Sequence, residues 1–310
     1  MSHLTQKLWE RACSRWNQRG LPETLQRLNR GQARSHKEFS GVLESVFMDT
    51  QLIEALGDEL FHALLERRSL EPLTARYPDL TLDTAYRISL RFLQRRQALG
   101  EQVVGKKIGV TSRAVQDMLD VHQPDFGFLT DRMQVADNSD VSFAAHHLVQ
   151  PRAEGEIAFI LGEDLHGPGI TAEDVMAASQ WVVPCFEIVD SRIADWKIRI
   201  QDTVADNASC GVFALGEQRI NPRELDLAKV ELHLLKNGQP AGHGFGSAVQ
   251  GHPCEAVAWL ANTLGKFDIP FRKGEIILSG ALASLVPVQP GDEVSLTLSG
   301  LGSANLRFVP

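Results

Sequence analysis

Apolar residues recur at helical spacing over residues 36–68, at Phe39, Val42, Leu43 and Val46 and then at Ile53, Leu56, Leu60, Leu64 and Leu65. Steps of three and four put them on one stripe, which predicts amphipathic helix. A second such stretch, 83–98, follows Pro78 and carries Ala85, Ile88, Leu90, Phe92 and Leu93. From residue 102 onward the pattern changes to short apolar runs punctuated by Gly, Pro and Asn. VVGKKIGV, EIAFIL, WVVPCFEIV, CGVFAL, KVELHLL, EIILSG, EVSLTL and NLRFV read as strands. Asn237-Gly238 predicts a tight hairpin, because both residues accept positive φ. One helix interrupts the strands from His252-Pro253, with proline in its first turn and Ala256, Val257, Trp259, Leu260 and Leu264 as its apolar positions. The expected fold class is α+β: a β-rich domain over residues 99–310 behind a helical region over 48–98. The sequence from Met48 looks like a natural protein start, so residues 1–47 are read either as an added segment or over-extended start, or as a genuine helical N-terminal extension.

Composition narrows the partners. A chain of 310 residues with 43% hydrophobic content has enough apolar side chains for one large domain with a smaller helical part. The net charge is −8 and no basic stripe is present, which argues against nucleic acid. An acidic protein repels anions at long range, so any acid it binds needs local positive charge. Cys13, Cys185, Cys210 and Cys254 are scattered and form no C-x-x-C pair, so neither a zinc knuckle nor a disulfide framework is expected. The first residues lack the apolar core of a signal peptide, and no run approaches the roughly 20 residues that span a bilayer. The expected setting is cytoplasmic, with no membrane partner.

The chemistry concentrates in a few runs. In EGEIAFIL, strand parity puts Glu154, Glu156, Ala158 and Ile160 on one face. Two carboxylates there are either a solvated strand end or a pair around something positive, because burying them uncompensated costs several kcal/mol each. Glu187, flanked by Phe186 and Ile188, sits in another nearly continuous apolar run. Three buried carboxylates without a His or Cys partner form an all-oxygen set, which suits Mg²⁺ or Mn²⁺ rather than zinc. A 2-oxo acid can fill two of the coordination positions left open. In VVGKKIGV, Lys107 shares its face with Gly105 and Gly109, which leaves room beside the charge, while Lys106 faces the other way. Two ordinary strand lysines are the alternative; an anionic substrate beside three carboxylates and one dication needs such a cation. Pro124, Asp125 and Gly127 predict a turn, with Asp125 either capping it or serving as an acid or base. His122 reads as a surface-loop residue. Asp202 and Thr203 look like helix-capping residues, and Asn207 and Ser209 lead into a strand where Ser209 is placed to bond either the backbone or a ligand. GHGFGSAVQGHP, 242–253, lacks the strand–GxGxxG–helix order of a phosphate site and reads as a flexible loop ending on His252 as a helix cap.

Taken together these runs resemble the 2-hydroxypenta-2,4-dienoate (2-oxopent-4-enoate) hydratases of the fumarylacetoacetate hydrolase superfamily. The resemblance covers residues 49–310 through VVGKKIGVTSRAVQDML, VHQPDFGFL, QPRAEGEIAFIL, EIVDSRIADWKIRIQDTVADNASCGVFALG, GHPCEAVAWLAN and EIILSGALASLVPV. It implies a mixed β-roll and a Mg²⁺ or Mn²⁺ site on Glu154, Glu156 and Glu187. It further implies an active-site lysine at Lys107, an acidic residue at Asp125 and a serine at Ser209, with Ser279, Gly280, Ala281 and Leu282 against the substrate carboxylate. The implied reaction adds water to 2-hydroxypenta-2,4-dienoate, giving 4-hydroxy-2-oxopentanoate in meta-cleavage catabolism of aromatic compounds. Homo-oligomers and association with other enzymes of the route are implied as well. The same superfamily contains 4-oxalocrotonate-type 2-oxo-diacid decarboxylases and longer 2-oxo-diacid hydratases, which are the rival reading. A non-catalytic partner subunit is a more distant one.

Overall fold

The computed structural model describes residues 36–310, with side chains from Thr50 onward except three in one short helix. Most of the expected 1–47 extension, and Cys13 with it, lies outside the described residues. The first helix, α1 (His36–Leu65), runs without a break through Met48. A single turn, α2 (Leu73–Arg76), and the long α3 (Leu82–Ala98) follow. Thr81 starts α3 by accepting the Thr84 amide at 3.2 Å. The stripe Ala85, Ile88 and Phe92 of α3 is buried with Ile53, Leu56 and Leu60 of α1 in one cluster. Each of the larger side chains in it, Ile, Leu or Phe, contributes about 1.5–3 kcal/mol when withdrawn from water. Arg91 ties the pair together at its edge through Asp58, 2.6 Å away.

The remainder is built from two sheets. The larger contains β1 (Val103–Gly109), β2 (Asp125–Thr130), β3 (Gln134–Val135), β5 (Arg152–Leu161), β6 (Ser179–Val189), β7 (Cys210–Leu215), β10 (Ile276–Ala281) and the short β11 (Val286–Pro287). Its order is β2-β1-β10-β5-β6-β7-β3, with β11 beside β5. The smaller has the order β4-β13-β12-β8-β9, from β4 (Ser139–Ser142), β8 (Glu231–Lys236), β9 (Gln239–Phe245), β12 (Glu293–Leu298) and β13 (Gly302–Val309). Both are mixed: β1/β10, β3/β7 and β4/β13 pair in parallel and the other neighbours antiparallel. Every run expected to be a strand is one. Short helices α4 (Arg113–Leu119), α5 (Ala172–Ala178) and α6 (Ile200–Ala205) lie in the connections, and α7 (Pro253–Gly265) follows β9. His252 caps α7 as expected, its ring accepting the Cys254 amide at 3.1 Å.

The two faces of the large sheet have different fates. Ile157, Phe159, Phe186 and Ile188 point into the main core with Leu232, Leu296 and Phe308 of the small sheet. Ala158, Val183, Cys185 and Phe213 line the other face, toward the inside of the roll. The carboxylates Glu154, Glu156 and Glu187 share strand parity with this second set, so the roll's interior is where they meet.

Two expectations are corrected. The turn read at Pro124–Gly127 is not there: Asp125 begins β2 and pairs with Gly109 of β1. Gly127 is required by packing, since a Cβ on it would lie 2.5 Å from the Asn207 carbonyl oxygen. The loop read over 242–253 begins instead as strand, because β9 extends to Phe245 as the return arm of the Asn237-Gly238 hairpin. Glycines at 242 and 244 disguised it, and a Cβ at Gly244 would meet the Leu282 carbonyl oxygen at 1.8 Å.

Candidate metal and active site

Register brings the carboxylates together. Glu154 and Glu187 lie directly opposite each other on β5 and β6, and Glu156 faces Ala281 of β10. An oxygen from each of the three glutamates falls within 4.8 Å of the others. Glu156 and Glu187 are fully buried and Glu154 keeps 9% of its surface. Glu156 Oε2 accepts the Gly280 amide at 2.8 Å. Its Oε1 and both oxygens of Glu187 are buried without a hydrogen bond. Burial first, and then the charge of Glu187, raises the Glu154 carboxyl to about 8. The same causes, with Glu154 added, push Glu156 well above the carboxylate range. Orphaned, crowded carboxylate oxygens in a dry site call for a cation, and an all-oxygen donor set fits a hard dication.

One cation of the protein is already present. Lys107 is buried, donates to the Ala208 carbonyl at 2.9 Å and stands 3.3 Å from Glu187 Oε1 without hydrogen-bond geometry. Burial pulls its ammonium down, but Glu187, Asp125 and Glu154 outweigh burial and leave it above its ordinary value. Lys106 points to the opposite face, as parity requires, where it pairs with Glu275 and lies over the Phe271 ring. Asp125 sits beside Lys107, and both crowd Gly109: a Cβ there would be 2.3 Å from Asp125 Oδ1 and 3.2 Å from Lys107 Nζ. Asp125 Oδ1 is buried and accepts no hydrogen bond. Its carboxyl is raised, by burial first, against the pull of Lys107.

The segment from Asp206 to Cys210 completes the site. Asn207, Ala208 and Ser209 all have φ between 51° and 54°. Left-handed backbone in three consecutive non-glycine residues costs roughly 1–3 kcal/mol each and persists only where the surroundings enforce it. Two buried groups do so. The Asn207 carboxamide accepts the Phe128 amide at 2.8 Å and donates to the Phe128 carbonyl at 3.0 Å, imitating a strand neighbour for β2. Arg192, entirely buried, bonds Asp206 Oδ1 at 2.6 Å, the Asp206 carbonyl at 2.8 Å and the Cys210 carbonyl at 3.2 Å. The result aims the Ala208 carbonyl at Lys107. Neither role was legible from spacing; the DSRI and DNAS runs were the only signals.

The other expected residues divide. The Ser209 hydroxyl is 3.1 Å from that of Thr203, which is therefore its partner rather than a cap. Asp202 accepts the Arg199 amide at 2.9 Å, as a capping residue does, and also the Thr74 amide and hydroxyl. In the 279–282 segment, Gly280 supplies the amide on Glu156 and Leu282 donates to the Gly155 carbonyl at 3.0 Å. The Ser279 hydroxyl is buried without a partner. A cavity of about 280 Å³ reaches Asp125, walled by Leu82, Tyr86, Val121 and Ile200. His122 lines its rim and that of a second cavity of about 490 Å³ next to Thr111.

Residues 97–309 match the family model described as fumarylacetoacetate (FAA) hydrolase C-terminal. The chain is 62% identical over 260 residues to a 2-hydroxyhexa-2,4-dienoate hydratase of Comamonas testosteroni, covering 84% of this chain and 98% of that one. It is 59% identical over 222 residues to a 2-hydroxypent-2,4-dienoate hydratase of Pseudomonas putida, covering 72% of this chain and all of the other. Among solved structures, the 4-oxalocrotonate decarboxylase from Pseudomonas putida G7, complexed with magnesium and adipate, superposes with a TM-score of 0.81 at 35% identity, covering 84% of this chain and 98% of its own.

Proposed function

We propose that this chain, which belongs to the fumarylacetoacetate hydrolase family, is a metal-dependent hydro-lyase that adds water to 2-hydroxypenta-2,4-dienoate and gives 4-hydroxy-2-oxopentanoate, a step in meta-cleavage catabolism of aromatic compounds. The observation that carries it is the set of three glutamates, two of them with orphaned oxygens, beside Lys107 and Asp125. Relatives named as hydratases at 59–62% identity support the reaction over decarboxylation, whose named representative stands at 35%. The cavity that reaches Asp125 is walled mainly by apolar side chains, which supports an acid with an apolar tail as substrate.

Glu154, Glu156 and Glu187 would hold Mg²⁺ or Mn²⁺, which when bound supplies a Lewis acid for the carboxylate and C2 oxygen of the substrate. The protein's own groups handle the rest. The enol proton leaves O2 and a proton arrives at C5, giving 2-oxopent-3-enoate; hydroxide from water then joins C4 and a proton joins C3. Asp125, with a free buried oxygen, is the group that carries these protons. Lys107, fixed on Ala208 and Glu187, is a stationary cation for the anionic substrate. Ser209 positions the Lys107 contact through its left-handed backbone, its hydroxyl being occupied by Thr203. Ser279 is the free donor for the substrate carboxylate, since the Gly280 amide is spent on Glu156. Leu82, Val121 and Ile200 receive the C5 end.

Among the described residues no helix is long and apolar enough to cross a membrane. Cys185, Cys210 and Cys254 are free and buried, which supports a reducing, cytoplasmic setting.

The test is loss of dienoate absorbance with Mg²⁺, with Mn²⁺ and after chelation by EDTA. Activity is expected only with metal, absent in Glu156→Gln and lowered by roughly two orders of magnitude in Lys107→Ala. Full activity in EDTA, or unchanged kcat/KM in Lys107→Ala, sinks the corresponding assignment.

A further inference from the structure

A second group of metal-ligating side chains lies on the hairpin β8–β9, in the small sheet, none of whose strands supplies a residue to the carboxylate site. Leu232 and Leu234 of β8 are buried, so Glu231 and His233 project from the opposite face. The antiparallel register places His243 of β9 directly across from His233. Their rings are 5.0 Å apart, centroid to centroid. Both Nε2 atoms converge on one carboxylate oxygen: Glu231 Oε1 is 2.8 Å from His243 and 3.3 Å from His233. Phe245 sets the His243 ring edge-to-face at 5.3 Å.

These separations have a ready chemical meaning. Zinc bonds of about 2.0–2.1 Å in tetrahedral geometry place neighbouring ligand atoms about 3.3–3.5 Å apart. The three ligand atoms here all fall within 4.8 Å of one another, on two strands already locked by their ladder, so little rearrangement is needed. The side chains are 38–59% exposed, which gives an ion direct access. An ordinary surface contact explains a carboxylate bonded to one imidazole; two imidazoles aimed at the same oxygen present three donors to one point.

We propose that Glu231, His233 and His243 form a second metal site, taking a borderline transition dication such as Zn²⁺, Cu²⁺ or Ni²⁺. Imidazole donors favour these ions over the hard ions that suit the all-oxygen set inside the roll. The chain thus carries two sites of opposite taste. Three protein ligands leave one tetrahedral position for water or a donor from another molecule. Occupancy bridges edge strand β9 to β8 and stabilises the folded chain by mass action.

Calorimetric titration of the tag-free protein with Zn²⁺, in saturating Mg²⁺ to block the carboxylate site, tests this. One zinc per chain is expected, with affinity lowered more than roughly tenfold in His233→Ala and in His243→Ala, because each removes one of three ligands. The imidazole proton resonances of both histidines are expected to shift together, and both variants keep Mg²⁺-dependent hydration. Glu156→Gln is expected to retain the zinc, which separates this site from the catalytic reading. Should the alanines fail to fold, His233→Asn and His243→Asn preserve polar strand positions and carry the same expectation. No zinc uptake in saturating Mg²⁺, or an identical isotherm in the histidine variants, overturns the proposal.

Discussion

Asp125 holds a carboxyl group where only 2% of its surface meets solvent, beside a lysine that donates to the Ala208 carbonyl. Burial favours the protonated form, Lys107 the ionised one, and a group balanced between them is suited to move a proton. Asp125→Asn keeps the shape and removes the proton. It is expected to lower kcat by about two orders of magnitude or more, the usual contribution of one acid–base group, with unchanged far-UV circular dichroism. Retention of more than a tenth of kcat would falsify the assignment. At this scale much was readable in advance. Strand parity already separated Lys107 from Lys106 and joined Glu154 to Glu156. Asp125 was misplaced because Pro-x-x-Gly spacing signals a turn, whereas Gly127 serves the approach of Asn207, a contact 80 residues away in the chain that local pattern does not encode.

Elements meet at the site through side chains that stand in for backbone. Asn207 supplies β2 with the hydrogen bonds a neighbouring strand would give, and Arg192 binds both ends of the left-handed segment. Asn207→Ala removes both buried hydrogen bonds that the carboxamide makes to the Phe128 backbone, and a buried bond lost with one partner left behind costs about 1–3 kcal/mol. Urea unfolding should show a loss of at least about 2 kcal/mol; a loss below about 0.5 kcal/mol would mean that water or a neighbour takes over both bonds. Strands, helix caps and the hairpin were legible because each is a local pattern. The clamp was not, because Arg192 reads as an ordinary charge until the fold surrounds it.

For the whole molecule, the charge buried in the roll links stability to pH and to metal. The Glu154 carboxyl is raised to about 8 from its ordinary 4.5, so the metal-free folded chain holds a proton that the unfolded chain releases. That contribution to stability is complete below the ordinary value and disappears as pH rises through 8. A metal needs the same oxygens deprotonated, so its stabilisation runs the other way. The rise in Tm on adding Mg²⁺ is therefore expected to grow from about pH 6 to about pH 9, by scanning calorimetry, and a constant or shrinking rise would contradict the ligand set. The sheet order that creates this interior was beyond sequence reading, since pairings such as β1 with β10 join residues far apart in the chain. The left-handed run at Asn207–Ser209 has a further bearing on how the protein ages under heat and mutation. A left-handed segment of this kind keeps its conformation only as long as its two clamps hold. Strain held at Asn207–Ser209 by Asn207 and Arg192 therefore ties the aim of the Ala208 carbonyl at Lys107 to the same buried bonds that hold β2, so a substitution in either clamp is felt at the carboxylate cluster as well as in stability.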